Sequence, residues 1–311
     1  MRLGLDAMGG DFAPLEAVKG AIQYSAENPD HHISLFGDQI AIEQVFTELN
    51  ADSSAYTIVH CSEQIGMSEH GARAVATKKN SSINVGTSYV KEGAIDCFIG
   101  SGNTGAMLVS SIFILKPIVG IDRPTITSIL PRSEGPNGLI LDVGANADCK
   151  PESLRQFALL GSVYTKIISG IDNPKVALLN IGEEKEKGNQ LTQEAFKLLE
   201  QDKSLNFVGN IEGRDIFTTG AADVVVCDGF TGNIVLKTSE GLFYKLAKSG
   251  ITSDFLNKFN FKNYGGAPIL GVNGNIIIGH GISKADTFCQ MLKQGANLAQ
   301  SKLVEKIKSA L

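Results

Sequence analysis

The sequence has few cysteines and no surplus of basic residues. Its cysteines lie far apart and form no CxxC pair, which is typical of reduced thiols and argues against a disulfide framework or a zinc site. They are Cys61, Cys97, Cys149, Cys227 and Cys289. The net charge of -5 argues against a dedicated nucleic-acid-binding protein, because such proteins normally carry a basic surplus.

Long hydrophobic runs are also absent from the sequence. The longest mainly apolar stretch, residues 106–115, is half a membrane span and ends at Lys116 and Pro117. The amino terminus reaches glycine and aspartate too soon to form the apolar core of a signal peptide. We therefore expect a cytoplasmic protein.

Several catalytic signatures are missing. The histidines show no HExxH spacing and no acidic cluster, which argues against a catalytic metal, and no GxSxG elbow is present. Cys149 and Cys227 lie near candidate site loops, where a nucleophile and a small buried thiol both fit the sequence. Because the charge of Asp228 would raise the pKa of the adjacent Cys227 thiol, and the charges beside Cys149 oppose each other, we expect no acyl-enzyme.

What the sequence does contain is a series of short apolar runs that end at Gly, Asp or Asn. Because these runs are continuous instead of alternating, they predict strands buried on both faces of a mostly parallel sheet. The runs cover residues 3–6, 33–37, 57–60, 95–100, 139–144, 176–182, 206–209, 223–229 and 276–279. Helical patterns lie between them, so we predict an α/β fold with helices on both faces of the sheet.

Three of the helical patterns have recognisable starts. Pro14 and Pro151 open two of them, and Asp38 can cap a third. The stretch 283–311 has the pattern of one long helix. Since we find neither a repeat nor a linker, residues 1–311 are predicted to form a single domain, with room for two lobes.

Five of the predicted strands end in loops rich in Gly, Asp and Asn, and ligands of open α/β sheets bind at such loops. In residues 6–11 the glycines would allow a ligand to approach closely, whereas a tight turn in which Asp11 caps the next helix explains the same residues. Residues 100–106 form a glycine-rich loop that enters a helix, which favours an anion. The loop matches neither the Walker A motif nor GxGxxG, so we expect it to bind phosphate in preference to a nucleotide. The alternative is a glycine-rich turn that is needed only for close packing.

The other three loops cover residues 142–146, 182–189 and 228–233. Lys187 and Lys237 are the cations that a phosphate needs, and Asp228 could accept a proton or fix a lysine. Each loop alone is a weak signal, whereas five at one sheet edge indicate a small anionic substrate.

Together these loops resemble the PlsX family of bacterial acyl-acyl-carrier-protein:phosphate acyltransferases. The motifs are DAMGGD at 6–11, GSGNTGA at 100–106, DVGAN at 142–146, KGN at 187–189, DGFTGN at 228–233 and NYGGAP at 263–268. They follow the family's order over nearly the full length. Residues 178–192 and 222–237 also look like phosphate acetyl- and butyryltransferases.

The resemblance implies that orthophosphate attacks the thioester of acyl-acyl carrier protein, giving a long-chain acyl phosphate for phospholipid synthesis by a membrane glycerol-3-phosphate acyltransferase. It also implies a three-layer αβα sandwich like isocitrate and isopropylmalate dehydrogenases, a homodimer, and no organic cofactor. In the family, the segment before NYGG commonly forms a longer helical hairpin associated with the dimer contact and the membrane. Only residues 242–263 are available for it here.

We predict direct attack by phosphate in a ternary complex, with the phosphate held by residues 101–105 and Lys187 or Lys237. The first candidate for a catalytic base or for an orienting carboxylate is Asp228, and the second is Asp6. The other catalytic candidates are Asn233, Lys187 and Lys237. The candidate phosphate and substrate ligands are Gly9, Gly10, Ser101, Gly102, Asn103, Thr104, Gly105, Asp142, Asn146, Gly188, Asn189, Gly229, Thr231 and Gly232. Backbone N–H groups of the glycine loops would stabilise the oxyanion. Two alternatives stay open: an acyl-coenzyme A-dependent phosphate acetyl- or butyryltransferase, and a non-catalytic binder of phosphorylated metabolites.

Two surfaces are predicted to contact partners. Arg73, Lys78 and Lys79 form a dense basic group that could dock the acidic carrier protein, and an ordinary solvated helix end is the alternative. Residues 241–264 carry two helical stripes separated at residues 249–250, and these must pack on the parent domain, a second subunit or lipid. The first stripe is Leu242, Phe243 and Leu246, and the second is Phe255, Leu256 and Phe259. We place them at a homodimer contact and expect membrane association to be weak or dependent on a partner.

Overall fold

The computed structural model describes residues 1–311, with the exception of the side chain of Phe261. The chain divides into two compact units. Unit 1 comprises Met1–Ile118 and Lys262–Val304, and unit 2 comprises Val119–Phe261 and Glu305–Leu311. Unit 1 is therefore completed by a segment from the carboxy-terminal part of the chain.

Strands and helices alternate along the chain. The strands are β1 (Arg2–Asp6), β2 (His32–Gly37), β3 (Thr57–His60), β4 (Cys97–Gly100), β5 (Thr125–Leu130), β6 (Gly138–Leu141), β7 (Lys175–Asn180), β8 (Asn206–Glu212), β9 (Val224–Val226), β10 (Ala267–Leu270) and β11 (Ile276–Ile278). The helices are α1 (Leu15–Glu27), α2 (Gln39–Glu48), α3 (Gly71–Thr77), α4 (Ser82–Lys91), α5 (Thr104–Ser110), α6 (Pro151–Ile168), α7 (Gln190–Gln201), α8 (Gly229–Lys248), α9 (Asp254–Asn257), α10 (Ala285–Gln300) and α11 (Leu303–Ala310). A π-helix, Ser111–Leu115, extends α5, and a 3-10 helix covers Phe261–Asn263.

The sheet of unit 1 has the strand order β3-β2-β1-β4-β11-β10. Neighbouring strands are parallel except β10 and β11, which pair antiparallel. In the middle of the sheet, Leu3 pairs with Ile33 on one side and Cys97 on the other. Residues 3–6 of β1 are buried without interruption, as a strand covered on both faces requires.

Helices cover both faces of this sheet. The ring of Phe98 in β4 lies against α4, where Gly86 leaves room for it. The flanking residues Cys97 and Ile99 lie against α10 at Gly295. Because successive side chains of a strand point to opposite faces, α4 and α10 cover opposite sides of the sheet. The predicted αβα arrangement is confirmed in this unit.

The sheet of unit 2 has the strand order β5-β6-β9-β7-β8. Its strand pairs are parallel except β5 and β6. All three residues of β9 are fully buried, so both faces of the sheet are covered. On one face, Gly161 of α6 packs against Val224 and Leu141. The prediction of a mostly parallel sheet is therefore confirmed here as well.

The predicted helix starts are confirmed. The Asp38 carboxylate accepts hydrogen bonds from the backbone N–H groups of Ile40 and Ala41 and caps α2. Pro151 is the first residue of α6, and α1 begins directly after Pro14.

Two strands and one helix differ from the prediction. The strands β5 and β10 lie outside the predicted runs, because threonines and a serine interrupt the apolar pattern of β5 and Pro268 lies within β10. The prediction of one helix over residues 283–311 is wrong. Lys302, with a φ of +53, separates α10 from α11, since this left-handed conformation cannot continue a right-handed helix.

The segment 241–264 divides at Ser249 and Gly250 as expected. Its first stripe continues α8, and its second stripe surrounds the four-residue helix α9. The ring of Phe259 packs edge-on against Phe217 of the same unit, with 5.0 Å between centroids. Among the described residues, no helix combines the length and the apolar character needed to cross a membrane.

Candidate active site

The first group of predicted site residues lies in unit 1, where β1 ends at Asp6. This carboxyl is 1% exposed and accepts a hydrogen bond of 3.0 Å from the backbone N–H of Met8. Burial raises the pKa of Asp6 to about 6, and hydrogen bonding by Ser82 and by the backbone of Met8 and Gly9 lowers it by a smaller amount. Asp6 is therefore a carboxyl that exchanges its proton close to neutral pH.

Two glycine loops meet above this carboxyl. A Cβ atom on Gly9 would lie 2.6 Å from the backbone nitrogen of Gly102 and 2.7 Å from Asp6 Oδ2. Gly10 has a φ of +95, a conformation that glycine adopts without strain. The loops after β1 and β4 thus approach each other at a distance that only glycine permits.

Asn103 shapes the loop that follows β4. Its Oδ1 accepts a hydrogen bond of 2.9 Å from the backbone N–H of Ala106, which caps α5. Its Nδ2 donates to backbone oxygens of the loop at residues 66–69. Ser101 is buried, with its hydroxyl 3.9 Å from the sulfur of Met291. Thr104 and Gly105 are exposed in the first turn of α5, where backbone N–H groups lack partners within the helix.

The second group lies in unit 2 and begins with Asp142 at the end of β6. The fully buried carboxylate accepts hydrogen bonds from the backbone N–H groups of Ile126, Ala145 and Asn146 and from the Asn146 side chain. The distances are between 2.6 and 3.2 Å. Burial is the largest cause of its shift and raises the pKa of Asp142. With four donors around it, Asp142 holds the 142–146 loop in shape.

In the loop between β9 and α8 of unit 2, Asp228 caps α8. Its carboxylate accepts hydrogen bonds of 2.8 Å from both the backbone N–H and the hydroxyl of Thr231. The backbone N–H of Gly229 donates to the carbonyl of Asn146 at 2.7 Å. Gly232 lies against the Asp142 carbonyl so closely that a side chain there would collide with it. The start of α8 is therefore fitted tightly onto the 142–146 loop.

Asn233 is brought beside the same loop. A Cβ atom on Gly144 would lie 3.6 Å from Asn233 Oδ1, and Gly144 has a φ of +124. The sequence separates these residues by almost ninety positions, and the packing of α8 brings them together.

The two candidate lysines differ in their surroundings. Lys237 is half exposed and forms a 2.8 Å ion pair with Glu240 one turn further along α8. The Lys187 backbone is held by Asn180, whose Nδ2 donates to the Lys187 carbonyl at 3.1 Å. Gly188 follows with a φ of +96. The side chain of Asn189 caps α7 by accepting from the Thr192 backbone N–H at 3.0 Å, so its oxygen is occupied by the helix.

The thiols near this cluster are poorly suited to nucleophilic attack. Cys227 is buried, and burial followed by the charges of Asp228 and Asp142 raises its pKa well above the usual range. Burial, followed by Asp142, raises the pKa of Cys149 to about 11. Because the thiolate is the nucleophile, neither residue is activated at neutral pH.

The predicted basic group contains one paired lysine and two exposed cations. Lys78 Nζ lies 2.6 Å from Glu69 Oε1 and 2.7 Å from the Gln64 carbonyl, so its charge is already balanced. Arg73 and Lys79 are exposed on and next to α3. The exposed part of this group is therefore Arg73 and Lys79.

Two residues that sequence reasoning missed act on the candidate groups. Ser82 lowers the pKa of Asp6, and Asn180 holds the backbone of Lys187 through a hydrogen bond to its carbonyl. The Ser81-Ser82 pair at a helix start and the polar end of β7 are visible signals, but neither shows which partner is reached.

Known proteins resemble the chain over its whole length. A family model described as "Fatty acid synthesis protein" matches residues 1–306. A phosphate acyltransferase of Syntrophomonas wolfei is 45% identical over 310 residues, covering 98% of this chain and 97% of the relative. One of Desulfitobacterium hafniense is 46% identical over 330 residues, covering 100% and 98%.

The chain belongs to the phosphate acyltransferase family. It is therefore an acyltransferase, as its loop motifs indicated, and the matching family model is one of fatty acid synthesis proteins.

Solved structures share the fold of this phosphate acyltransferase family member. A phosphotransacetylase from Streptococcus pyogenes matches with a TM-score of 0.70 at 20% identity, covering 98% of this chain and 94% of that one. A 4-hydroxythreonine-4-phosphate dehydrogenase from Klebsiella pneumoniae matches with a TM-score of 0.54 at 12% identity, covering 96% of this chain and 98% of that one. At such identities the likeness concerns the α/β sandwich alone.

Proposed function

We propose that the protein transfers a long-chain acyl group from acyl carrier protein to orthophosphate, and that the acyl phosphate serves phospholipid synthesis. The full-length match to proteins named phosphate acyltransferase carries this proposal. In the reaction a phosphate oxygen forms a bond to the thioester carbonyl carbon. The C–S bond then breaks, and the departing thiolate takes up the proton that the attacking hydrogen phosphate loses. This step balances without a cofactor.

For unit 1, we propose that phosphate binds at the exposed first turn of α5. Thr104 supplies a hydroxyl, and the backbone N–H groups of Thr104 and Gly105 supply donors for an anion. A preorganised donor of this kind stabilises negative charge without reorganising in the transition state. The buried Ser101 hydroxyl is not part of this contact.

We propose Asp6, in preference to Asp228, as the carboxyl whose ionisation controls the rate of turnover. The Asp228 oxygens accept hydrogen bonds from Thr231 at the start of α8, so capping of this helix accounts for Asp228. Asp6 has a pKa of about 6, and a catalytic base works best when its pKa is close to the operating pH. We therefore expect the ionised form of Asp6 to be the active one.

For unit 2, we propose that Lys187 and Asn233 take part in the reaction. Within unit 2, Lys187 is the better candidate cation than Lys237, because Lys237 is paired with Glu240 on its own helix. Asn233 is held beside the glycine of the 142–146 loop and offers an amide donor.

The experiment that tests the function is hydroxylamine trapping of acyl phosphate. The purified protein would receive phosphate with either long-chain acyl-acyl carrier protein or short-chain acyl-coenzyme A. Formation of the hydroxamate only from the carrier-protein donor is expected. Preference for acyl-coenzyme A would favour the phosphate acetyl- or butyryltransferase alternative, and no hydroxamate from either donor would indicate a non-catalytic binder.

We propose a cytoplasmic homodimer whose product passes to a membrane glycerol-3-phosphate acyltransferase. Leu242 of the first stripe is exposed on α8, as is its neighbour Tyr244, whereas Phe259 of the second stripe packs on Phe217 of its own unit. The surface around Leu242 is therefore the better contact candidate. The variant with Leu242→Glu and Tyr244→Glu should sediment as a monomer where the wild type sediments as a dimer. Tight binding of the wild type to anionic vesicles would instead show that lipid covers this surface.

A further inference from the structure

Three exposed apolar side chains lie in loops at the carboxyl edge of the unit 1 sheet. Phe12 follows β1, Met67 follows β3 and Ile282 follows β11. They are 40, 46 and 50% exposed, respectively. Because these strands run in the same direction, their loops emerge at one edge. Single exposed apolar residues are common on proteins, whereas a group from three separate loops indicates a contact site.

The glycine that precedes Ile282, Gly281, joins the three loops. Its carbonyl accepts a hydrogen bond of 2.8 Å from the backbone N–H of Asp11, which precedes Phe12. A Cβ atom on Gly281 would lie 2.8 Å from Cε of Met67, so the end of the Met67 side chain rests on this backbone. The apolar group is therefore formed by the fold before any ligand binds.

The side chains of the group combine one fixed wall with one adaptable one. The ammonium of Lys284 lies 3.2 Å from the centroid of the Phe12 ring, a cation–π contact that holds the ring in place. Met67 is unbranched and flexible, so it can fit apolar ligands of varying shape.

The group begins beside the turn that we propose for phosphate. Asn103, which caps α5, donates from Nδ2 to the Met67 carbonyl at 3.2 Å. A Cβ atom on Gly71 would lie 2.6 Å from the backbone nitrogen of Ala106, so the 66–71 segment lies directly against the first turn of α5. In the proposed reaction phosphate bonds to the thioester carbonyl. The acyl chain therefore leaves the reacting carbon next to the loop that carries Met67.

We propose that Met67, Ile282 and Phe12 form the subsite for the hydrocarbon chain of the acyl substrate, which enters it at Met67. This inference rests on the proposed function. A saturated chain offers no hydrogen-bonding group, so its recognition depends on the apolar area that it covers.

The charges around the group favour an uncharged chain over the surface of a carrier protein. The loops 7–14, 61–70 and 279–284 contain three acidic side chains, Asp11, Glu63 and Glu69, and one basic side chain, Lys284. Glu69 is balanced by its ion pair with Lys78. An acidic carrier protein would need a basic surplus here, and these loops do not supply one.

The test measures how the rate depends on chain length. Acyl phosphate formation from hexanoyl, decanoyl and palmitoyl carrier protein would be compared in the wild type, in Ile282→Ser and in Ile282→Ser combined with Phe12→Ser. Each methylene removed from water contributes roughly fourfold to binding, so we expect the double variant to lose about tenfold or more of its preference for palmitoyl over hexanoyl in kcat/KM. The single variant should lose less.

The matched control is Val119→Ser, because Val119 is an apolar residue of unit 2 that is 93% exposed. Its chain-length preference should equal that of the wild type. Since Phe12 and Ile282 are both at least 40% exposed, their replacement should leave the melting temperature nearly unchanged.

A binding measurement without turnover separates the possible failures. Hexyl, octyl and decyl phosphate carry a chain and a phosphate but no thioester, and their affinity by calorimetry should rise with chain length less steeply in the double variant than in the wild type. An unchanged chain-length preference in both variants would overturn the proposal. An equal loss with every carrier-protein donor would overturn it too, since it would show that the carrier protein docks here. If the wild type forms no acyl phosphate, the proposed function fails, and the alkyl phosphate series still decides whether these side chains bind a hydrocarbon chain.

Discussion

Gly9 and Gly102 are in backbone contact above the carboxyl of Asp6. A Cβ atom on Gly9 would lie 2.6 Å from the Gly102 nitrogen, closer than any side chain can be accommodated without moving the backbone. The contact joins the loops that follow two adjacent strands of unit 1, β1 and β4. It explains why glycines occur at these positions more directly than turn formation does.

Gly9→Ala should therefore separate the two loops and lower acyl phosphate formation by about a hundredfold or more, since misplacement of about 1 Å in a catalytic site has effects of this size. The expected readout is loss of turnover with an unchanged circular dichroism spectrum. Gly213→Ala is the matched control, because nothing lies within 4 Å of a Cβ atom at that position. Equal activity of the two variants would contradict a role for the loop contact.

Asp6→Asn should abolish turnover and change the pH dependence of stability. Folding raises the Asp6 pKa from 3.8 to about 6, so the folded protein keeps this proton while the unfolded chain loses it. Stability from this group is thus highest below pH 4 and falls as the pH rises to about 6, by at most about 3 kcal/mol for a shift of about two pH units.

Urea unfolding at pH 4 and pH 7.5 measures this effect. The asparagine variant lacks the ionisation, so its stability relative to the wild type should be greater at pH 7.5 than at pH 4. An identical difference at both pH values would show that Asp6 is not the buried acid described here.

Cys149→Ser and Cys227→Ser should remain active, because the pKa of each thiol is raised and neither forms a thiolate at neutral pH. The measurement is steady-state turnover together with mass spectrometry of the intact protein after mixing with donor alone. A stable acyl adduct on either cysteine of the wild type would refute direct attack by phosphate.

Lys187→Ala and Asn233→Ala should each reduce acyl phosphate formation by orders of magnitude, while Lys237→Ala should have a smaller effect. The reason for the difference is the ion pair between Lys237 and Glu240, which already balances that charge. Normal turnover in both Lys187→Ala and Asn233→Ala would remove unit 2 residues from the mechanism.

Arg73→Glu combined with Lys79→Glu should raise the KM for acyl-acyl carrier protein, more strongly at low salt, and leave the KM for phosphate unchanged. The control is Lys306→Glu with Lys308→Glu, two exposed lysines of α11 whose replacement makes the same change in net charge. If both double variants change the carrier KM equally, the effect is one of overall charge and the docking surface lies elsewhere.

The local features of this protein could be predicted from its sequence. Continuous apolar runs predicted buried parallel strands, since covering both faces of a sheet requires them, and β1 and β9 have that burial. Asp38 and Pro151 marked helix starts because capping depends on a few adjacent residues. The glycine-rich motifs at strand ends indicated the family, because such loops are contiguous in the chain.

The tertiary structure alone decided which of these residues act on one another. Nothing local relates Gly144 to Asn233, which lie almost ninety positions apart, yet the packing of α8 on the 142–146 loop places them side by side. Lys78 resembled a free cation until the fold placed it beside Glu69. The pKa of Asp6 likewise depends on burial by segments far away in sequence. Sequence patterns encode the conformation of neighbouring residues, whereas burial, charge pairing and acidity arise from contacts between distant ones.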